Sequence, residues 1–410
     1  MSLLPVDEAT ARILSRLRPL PPERVSLLEA RGRVLAEAVL ATRRLPAWDN
    51  SAMDGYAVRA ADLATPGVTL PVVGEVAAGA AGDVPLAPGT TVRIFTGAPV
   101  PPGADAVVMQ EDTSREGGGV TFKTAPRVGE NVRRAGSDVE PGTVVLPAGR
   151  ALTPGDLALL AALGRLSANV HRRPEVAILS SGSELVDVDG DPPGPGQIVN
   201  SNAWALAAAV LDAGGVPRVL PILRDDREAT IAALADAAAT ADVLLTSGGV
   251  SVGDHDHVGP ALSTLSGDAL AFWKVAIRPG KPLIFGLIQR CAAFGLPGNP
   301  ISALVTFEVF VRPALRRLLG HTDPLRRPVP AVTRTPLGAT GTRREYLRAA
   351  VEVGPDGRLT VDPGRTQGSG NLSSLVGADA LVVRREGSPA IEAGAAVEVL
   401  LLTEVGARPG

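Results

Sequence analysis

The chain has 410 residues, 45% hydrophobic and 20% charged, which excludes a peptide, a small disulfide scaffold and a globally disordered segment. Its 40 basic and 43 acidic residues leave a net charge of −3, so there is no electrostatic footprint for nucleic acid. The single cysteine, Cys291, excludes an internal disulfide and a cysteine-ligated metal site, and fits a reduced, cytosolic protein.

From the N-terminus, Met1–Pro5 runs directly into Asp7 and Glu8 without a basic stretch or a long apolar core, the opposite of a secretory leader. No apolar run reaches the roughly 18 residues of a membrane span, so no membrane partner is expected. Residues 6–18 and 24–40 carry apolar side chains at spacings of three and four, which predicts helices. Between 55 and 150 the pattern changes to short β-rich pieces (Val68–Val73, Val92–Thr96 and Ala106–Gln110) broken by Pro-Gly and Gly-Gly. Helix returns at Ala151–Leu163. From Pro174 strands and helices alternate: strands at Val176–Leu179, Val216–Leu220 and Val243–Thr246, two more around Phe285 and Phe294, and helices at 203–212, 226–239 and 300–319. That alternation predicts a doubly wound α/β sheet with ligands at the carboxyl ends of its strands. The tail from 325 reads as short strands with Gly/Pro turns, a small β-barrel or sandwich. The expected organisation is a helical, elongated domain from 1–54 and 137–173, an inserted β-rich domain at 55–136, the α/β domain at 174–322 and a β-barrel domain at 323–410.

Several loops carry chemistry. Thr246–Asp256 follows a buried strand, and its Gly248, Gly249 and Ser251, with Ser247, suit either a tight turn or a phosphate cradle. It lacks the Walker and dinucleotide patterns. Asn299 before Pro300 reads as a helix cap or as a second phosphate-facing turn. Lys274, Arg278 and Lys281 surround a Pro-Gly turn ending at Pro282. Only three of the 40 basic residues are lysine, and two of those stand here, which favours an oxyanion or phosphate site over a solvated basic loop. Glu184, Asp225 and Asp256 each follow a strand of the expected sheet; each is a turn residue alone, but convergence would make a Mg2+ site. His255 and His257 read as surface or cap histidines, because no further ligands stand at zinc spacing.

Taken together, PAWDNSAMDGYAVR at Pro46–Arg59, RIFTGAPVPPGADAVVMQED at Arg93–Asp112, SGGVSVGDHD at Ser247–Asp256, KVAIRPGKP at Lys274–Pro282 and LPGNPISA at Leu296–Ala303 resemble the molybdopterin molybdenumtransferase (MoeA) family, related to the C-terminal domain of gephyrin. The resemblance runs along essentially the whole chain in order. It implies an elongated homodimer of four-domain subunits, and cleavage of adenylylated molybdopterin with Mg2+, so that AMP leaves and molybdate is installed on the dithiolene. By motif, Asp54 and Thr96 are second-domain site positions serving the other subunit, and Asp138 is a further acidic position. Glu184, Asp225 and Asp256 are implied to hold Mg2+. Ser247, Gly248, Gly249, Ser251 and Asn299 are implied to line the phosphates. Lys274, Arg278, Lys281, Pro282, Ser302, Arg348 and Ser369 are implied to collect molybdate. Two departures stand out: Arg278 occupies a usual lysine position, and Ser183 a usual aspartate. A molybdopterin adenylyltransferase on the same α/β fold, and a non-enzymatic gephyrin-like scaffold, are the alternatives. The resemblance further implies an adenylyltransferase and recipient molybdoenzymes as partners in a cytoplasmic pathway.

Overall fold

The computed structural model describes residues 3–224, 226–250, 257–364 and 366–403. The chain divides into two compact units: one holds the residues up to Arg24, Gly149–Ala151 and the chain from Asn169 onward; the other holds Val25–Ala148 and Leu152–Ala168.

In the first unit, helix α1 (Val6–Ser15) buries Val6, Ala9 and Ile13 on one stripe. The second unit contains a six-stranded sheet of β1 (Gly55–Val58), β2 (Thr69–Val76), β3 (Thr91–Ile94), β4 (Ala106–Met109), β5 (Thr113–Glu116) and β6 (Gly119–Phe122), in the order β4-β1-β3-β2-β6-β5. Tyr56, Val58, Leu63 and Phe122 fill one of its cores, and Ala57, Val92, Ile94 and Val107 another. The expected helix over 24–40 is absent. The segment opens instead with a short strand, Pro22–Ser26, and a turn that ends at Gly32, whose φ is +74°. The Gly32 N–H then donates to the Leu152 carbonyl, and the Leu152 N–H to the Arg33 carbonyl. Pairing with a distant segment has overridden a helical pattern that a left-handed glycine interrupts. Helix α2 (Pro154–Ala162) begins later than expected because Thr153 and Asp156 form a reciprocal capping box ahead of Pro154.

Beyond Asn169 the first unit continues through β7 (Glu175–Ser180), α3 (Ser201–Ala213), β8 (Val216–Val219), α4 (Arg227–Thr240), β9 (Val243–Ser247), α5 (Val258–Ser266), β10 (Leu270–Lys274), β11 (Ile277–Arg278), β12 (Pro282–Ile288) and β13 (Cys291–Leu296). The sheet order is β8-β7-β9-β13-β12-β10; the first four strands are parallel, β12 runs against them, and the edge strand β10 pairs antiparallel with β12. Its strands are near-continuous runs of buried apolar residues, as a sheet covered on both faces requires. One face packs on α1 and α3 through Ile178, Leu206, Val210 and Phe294; the other packs on α4 and α5 through Leu179, Leu234, Leu244 and Leu262. Helix α6 (Pro300–Thr306) passes through a π-helical turn at Phe307–Val311 into α7 (Arg312–Leu318).

The tail forms β14 (Val329–Thr333), β15 (Arg344–Val353), β16 (Leu359–Asp362), β17 (Ala380–Arg384) and β18 (Ala396–Leu401). They run in the order β15-β16-β14-β18-β17, and β17 pairs back onto β15, which closes a five-stranded barrel. Strand β11 of the α/β segment adds to the barrel beside β15, with Arg278 opposite Glu345. The apolar core runs on into the barrel through Tyr346 and Leu381. The α/β and barrel segments lie in one compact unit, and so does the N-terminal helix.

Candidate functional site

Strand order reverses direction between β7 and β9: the chain steps from β7 outward to β8, then returns past it to β9. Such a switch point leaves a crevice at the carboxyl ends of the strands. A cavity of about 80 Å³ lies there, lined by Ser181 and Glu184 after β7, Asn200 and Asn202 at the start of α3, Ser247 and Gly248 after β9, and Gly298 and Pro300 before α6. The backbone is drawn tight. Gly248 has a φ of +91°, and a Cβ there would lie 2.6 Å from the Ser181 carbonyl oxygen. No other residue fits that approach without displacing β7. The Asn202 amide donates to the Ser247 Oγ at 2.8 Å and to the Gly298 carbonyl at 2.7 Å, tying the three strand-end loops together.

Glu184 is exposed and is the carboxylate that the described residues supply to this cavity. Ser251, Asp225 and Asp256 lie outside the described residues. The neighbour of Asp225, Asp226, is the N-cap of α4 and accepts from the Ala229 N–H at 2.7 Å. Among the described residues no three His, Cys, Asp or Glu side chains gather as a metal cluster. The donors present, a carboxylate with serine hydroxyls and asparagine amides, are oxygen-based and suit a hard cation that retains water and substrate oxygens. His257 holds the N-cap position of α5 without a side-chain cap bond. Asn299 likewise precedes α6 without donating or accepting a cap bond, so its expected capping role is confined to backbone position.

A second and larger cavity, about 470 Å³, opens where the basic loop meets the barrel. Arg278, Gly280, Lys281 and Ser302 line one side, and Arg343, Glu345, Leu347, Gln367, Gly368 and Ser369 line the other. Arg278, Lys281 and Arg343 therefore line one cavity together with Ser302, Tyr346, Ser369 and one carboxylate. Arg278 Nη1 donates to Glu345 Oε1 at 2.9 Å; the guanidinium is largely exposed, and the carboxylate is 15% exposed. The loop is seated by Gly280, whose φ is +106°; a Cβ there would run into Thr306 Cγ2 of α6. Ser302 is buried beneath the same loop.

The structure thus brings Glu184, Ser247 and Gly248 into one cavity, and Arg278, Lys281, Ser302 and Ser369 into the other. Gly249 turns under α5, where a Cβ would meet Val258. Lys274 is exposed at the end of β10 and Pro282 starts β12; neither is in the lining of either cavity. Arg348 is not in the lining of the basic cavity. Side chains alternate along β15, so Glu345 and Leu347 share one face and Arg344, Tyr346 and Arg348 the other, although Tyr346 also borders the cavity. Arg348 is 3% exposed and lines a separate cavity of about 260 Å³ with Asp362, Thr366, Gln367 and Ser374. That alternation was the available signal for Glu345; Arg343, just before β15, is another cavity residue that motif reasoning missed.

In the second unit, Asp54 Oδ1 accepts from the Thr96 N–H at 2.7 Å and from the Thr96 hydroxyl at 2.8 Å. These bonds, the backbone one foremost, hold the Asp54 carboxyl below the usual aspartate range. Asp138 is exposed, its backbone N–H bonded to the Leu45 carbonyl at 3.0 Å. Nearby, the Arg93 guanidinium lies 5.0 Å from the ring centroids of both Tyr56 and Phe95 and donates to Gln110 at 2.6 Å.

Three family descriptions match the chain in succession: the MoeA N-terminal region (domain I and II) over residues 4–164, a probable molybdopterin binding domain over 177–317, and the MoeA C-terminal region (domain IV) over 330–402. Molybdopterin molybdenumtransferase from Nostoc sp. is 41% identical, covering 97% of this chain and 94% of that protein; the Bacillus subtilis protein of the same name is 37% identical, covering 98% and 94%. The crystal structure of a molybdopterin biosynthesis MoeA protein from Pyrococcus horikoshii superposes with a TM-score of 0.85 at 31% identity, covering 98% of this chain and all of that one. By sequence along its length and by fold, the chain belongs to the molybdopterin molybdenumtransferase family.

Proposed function

We propose that this chain is a molybdenum insertase, which cleaves adenylylated molybdopterin, releases AMP and installs molybdate on the dithiolene. The observation that supports this most is that two cavities of different chemistry border one helix: Pro300 of α6 lines the strand-end cavity and Ser302 the basic one. A substrate with a phosphate end and a metal-accepting end, meeting a separate tetrahedral dianion, needs this division.

In the strand-end cavity, the Ser247 hydroxyl takes the phosphate oxygens beside the closely packed Gly248, and Gly249 and Ser251 continue that loop. Glu184, with Asp225 and Asp256, would hold Mg2+, which would supply charge neutralisation on the pyrophosphate. In the basic cavity, Arg278, Lys281 and Arg343 set two or more positive charges around molybdate, while Ser302 and Ser369 add neutral donors. Asp54 and Thr96 act from the second unit of a partner subunit in a homodimer. The protein works in the cytoplasm, downstream of an adenylyltransferase and upstream of the molybdoenzymes it supplies. The relatives' shared name favours insertion over adenylyl transfer, and a scaffold has no use for three cations in one cavity.

The test incubates purified protein with adenylylated molybdopterin, Mg2+ and molybdate, and measures AMP released and molybdenum bound to pterin. AMP release coupled to molybdenum incorporation supports the reading. Consumption of ATP with free molybdopterin, and no incorporation, overturns it in favour of adenylyl transfer.

A further inference from the structure

Asp54 stands just before β1 and Thr96 just after β3, on two turns of the second unit. Thr96 commits its N–H and its hydroxyl to the same atom, Asp54 Oδ1. Among the described residues no group donates to Oδ2. The carboxylate thus has one oxygen fixed and one on offer, and the direction of the free oxygen depends on how the two turns are held against each other.

Arg93 touches the neighbours of both residues. Its guanidinium lies 5.0 Å from the ring centroid of Tyr56, its cross-strand partner in β1, and 5.0 Å from that of Phe95, which immediately precedes Thr96. Nη1 donates to the carbonyl of Gly55, which immediately follows Asp54, at 3.3 Å, and Nη2 donates to Gln110 Oε1 at 2.6 Å. The Gln110 backbone N–H in turn donates to the Asp54 carbonyl at 3.1 Å, and its Nε2 donates to Glu111 at 3.4 Å. One side chain therefore holds the carbonyls of residues 54 and 55, the second directly and the first through Gln110. Behind Gly55 there is no slack: a Cβ there would run into the Val108 carbonyl of β4. Among the described residues no carboxylate pairs with Arg93, so its donors serve this clamp. A planar fork can lay its faces on aromatic rings while its edge donates in two directions; an ammonium cannot do both.

Resting on the reading that Asp54 works in an insertase, we infer that Arg93 is a positioning residue for Asp54. It locks the turn that carries Asp54 to the turn that carries Thr96, so that Oδ2 is aimed at the substrate, and it does not touch the substrate itself. Lysine keeps the charge but presents it as a point, which cannot span the Gly55 carbonyl and Gln110 together.

The experiment compares the parent chain with Arg93→Lys, Gln110→Ala and Asp54→Ala. AMP release is titrated separately with adenylylated molybdopterin and with molybdate. The Asp54 carboxyl is followed by NMR, and amide hydrogen exchange is read at Thr96 and Gln110, the two N–H groups bonded to Asp54. Arg93→Lys is expected to lower the rate at saturating substrates about tenfold while leaving both half-saturating concentrations within about twofold. It is also expected to speed exchange at both amides and to move the Asp54 pKa upward. Because lysine keeps the charge, that rise reports loosened Thr96 bonds, which a merely structural role for Arg93 would not move. Gln110→Ala, which cuts the clamp on an exposed side chain, gives the same pattern more weakly and serves if Arg93→Lys does not fold. An unchanged rate in a folded Arg93→Lys chain would overturn the inference, as would a slower rate with the Asp54 pKa and both amides unmoved. A pterin requirement raised tenfold or more would overturn it too, since Arg93 would then meet the substrate directly. If Asp54→Ala kept the parent rate, the reading of Asp54 would fail and the inference with it. A parent chain that releases no AMP would sink the insertase reading alone, with amide exchange and the Asp54 pKa still deciding the clamp.

Discussion

Arg278 stands opposite Glu345 in two adjacent strands, and the ion pair gives its departure from lysine a structural setting. A guanidinium can bond Glu345 with one nitrogen and still aim others into the cavity, which an ammonium does less readily. Removing it therefore does two things: a cation leaves, and a half-buried carboxylate is left unpaired beside an anion site. Charge-assisted bonds are worth roughly 1.5–3 kcal/mol, so Arg278→Ala is expected to raise the molybdate requirement by about tenfold to a hundredfold. Arg278→Lys is expected to keep most of the activity, and adding Glu345→Gln to Arg278→Ala to recover part of the loss. Independent titrations of molybdate and nucleotide check this; a change confined to the nucleotide would reassign the loop to phosphate. At Asp54 the question is protonation. The Thr96 N–H and hydroxyl both stabilise the carboxylate, so Thr96→Val removes one of two donors and is expected to move the Asp54 pKa part of the way back up. Carboxyl NMR titration reads that shift, and no change would show that the backbone bond acts alone.

Among the elements, those whose residues are buried on both faces were the most legible. The runs Val176–Leu179 and Val243–Thr246 admit little but a covered parallel strand, and β7 and β9 follow them within a residue or two. The glycine after β9 marked the strand-end cavity for the same reason: only a residue without Cβ tolerates the approach of Ser181. Residues 24–40 misled because periodicity records which side chains could share a helical face, not whether a distant segment competes for the backbone; Leu152 does so at Gly32 and Arg33. Just beyond α7, His321 was silent in the sequence yet is buried at 7% exposure. Desolvation, reinforced by Arg316 and Arg312, pushes its pKa down to about 4 from the ordinary 6.5. The unfolded chain thus binds the extra proton first: the contribution is intact above about pH 6.5 and is lost as pH falls toward 4. Discounted for water access, the loss is on the order of 1–2 kcal/mol. Denaturant melts between pH 7 and 4.5 are expected to show that slope in the parent chain and a flatter one in His321→Gln; equal slopes would place the pH dependence on the carboxylates.

At the scale of the whole molecule, composition bounded the number of domains but not how they group, because grouping depends on which faces are apolar. The barrel and the α/β sheet share one core through Tyr346 and Leu381, so they form one unit, which holds both cavities. Asp54 and Thr96 belong to the other. The proposal that these two residues serve the partner subunit's cavities makes a sharp expectation for mixed dimers. Asp54→Ala and Glu184→Ala homodimers are each expected to be inactive, since every composite site carries one lesion. In a heterodimer with shared sites, one site unites both lesions and the other has neither. Random exchange makes half of the dimers mixed, each with one working site of two, so activity should return to about a quarter of the parent value. If each site were instead built within a single chain, both sites of the mixed dimer would keep one lesion and nothing would return. The measurement is AMP release after co-incubating the two variants, with exchange itself followed by differently tagged chains. Recovery toward a quarter places Asp54 and Glu184 in one site contributed by two subunits; no recovery with exchange demonstrated assigns every catalytic residue to one chain and makes the dimer dispensable to the chemistry.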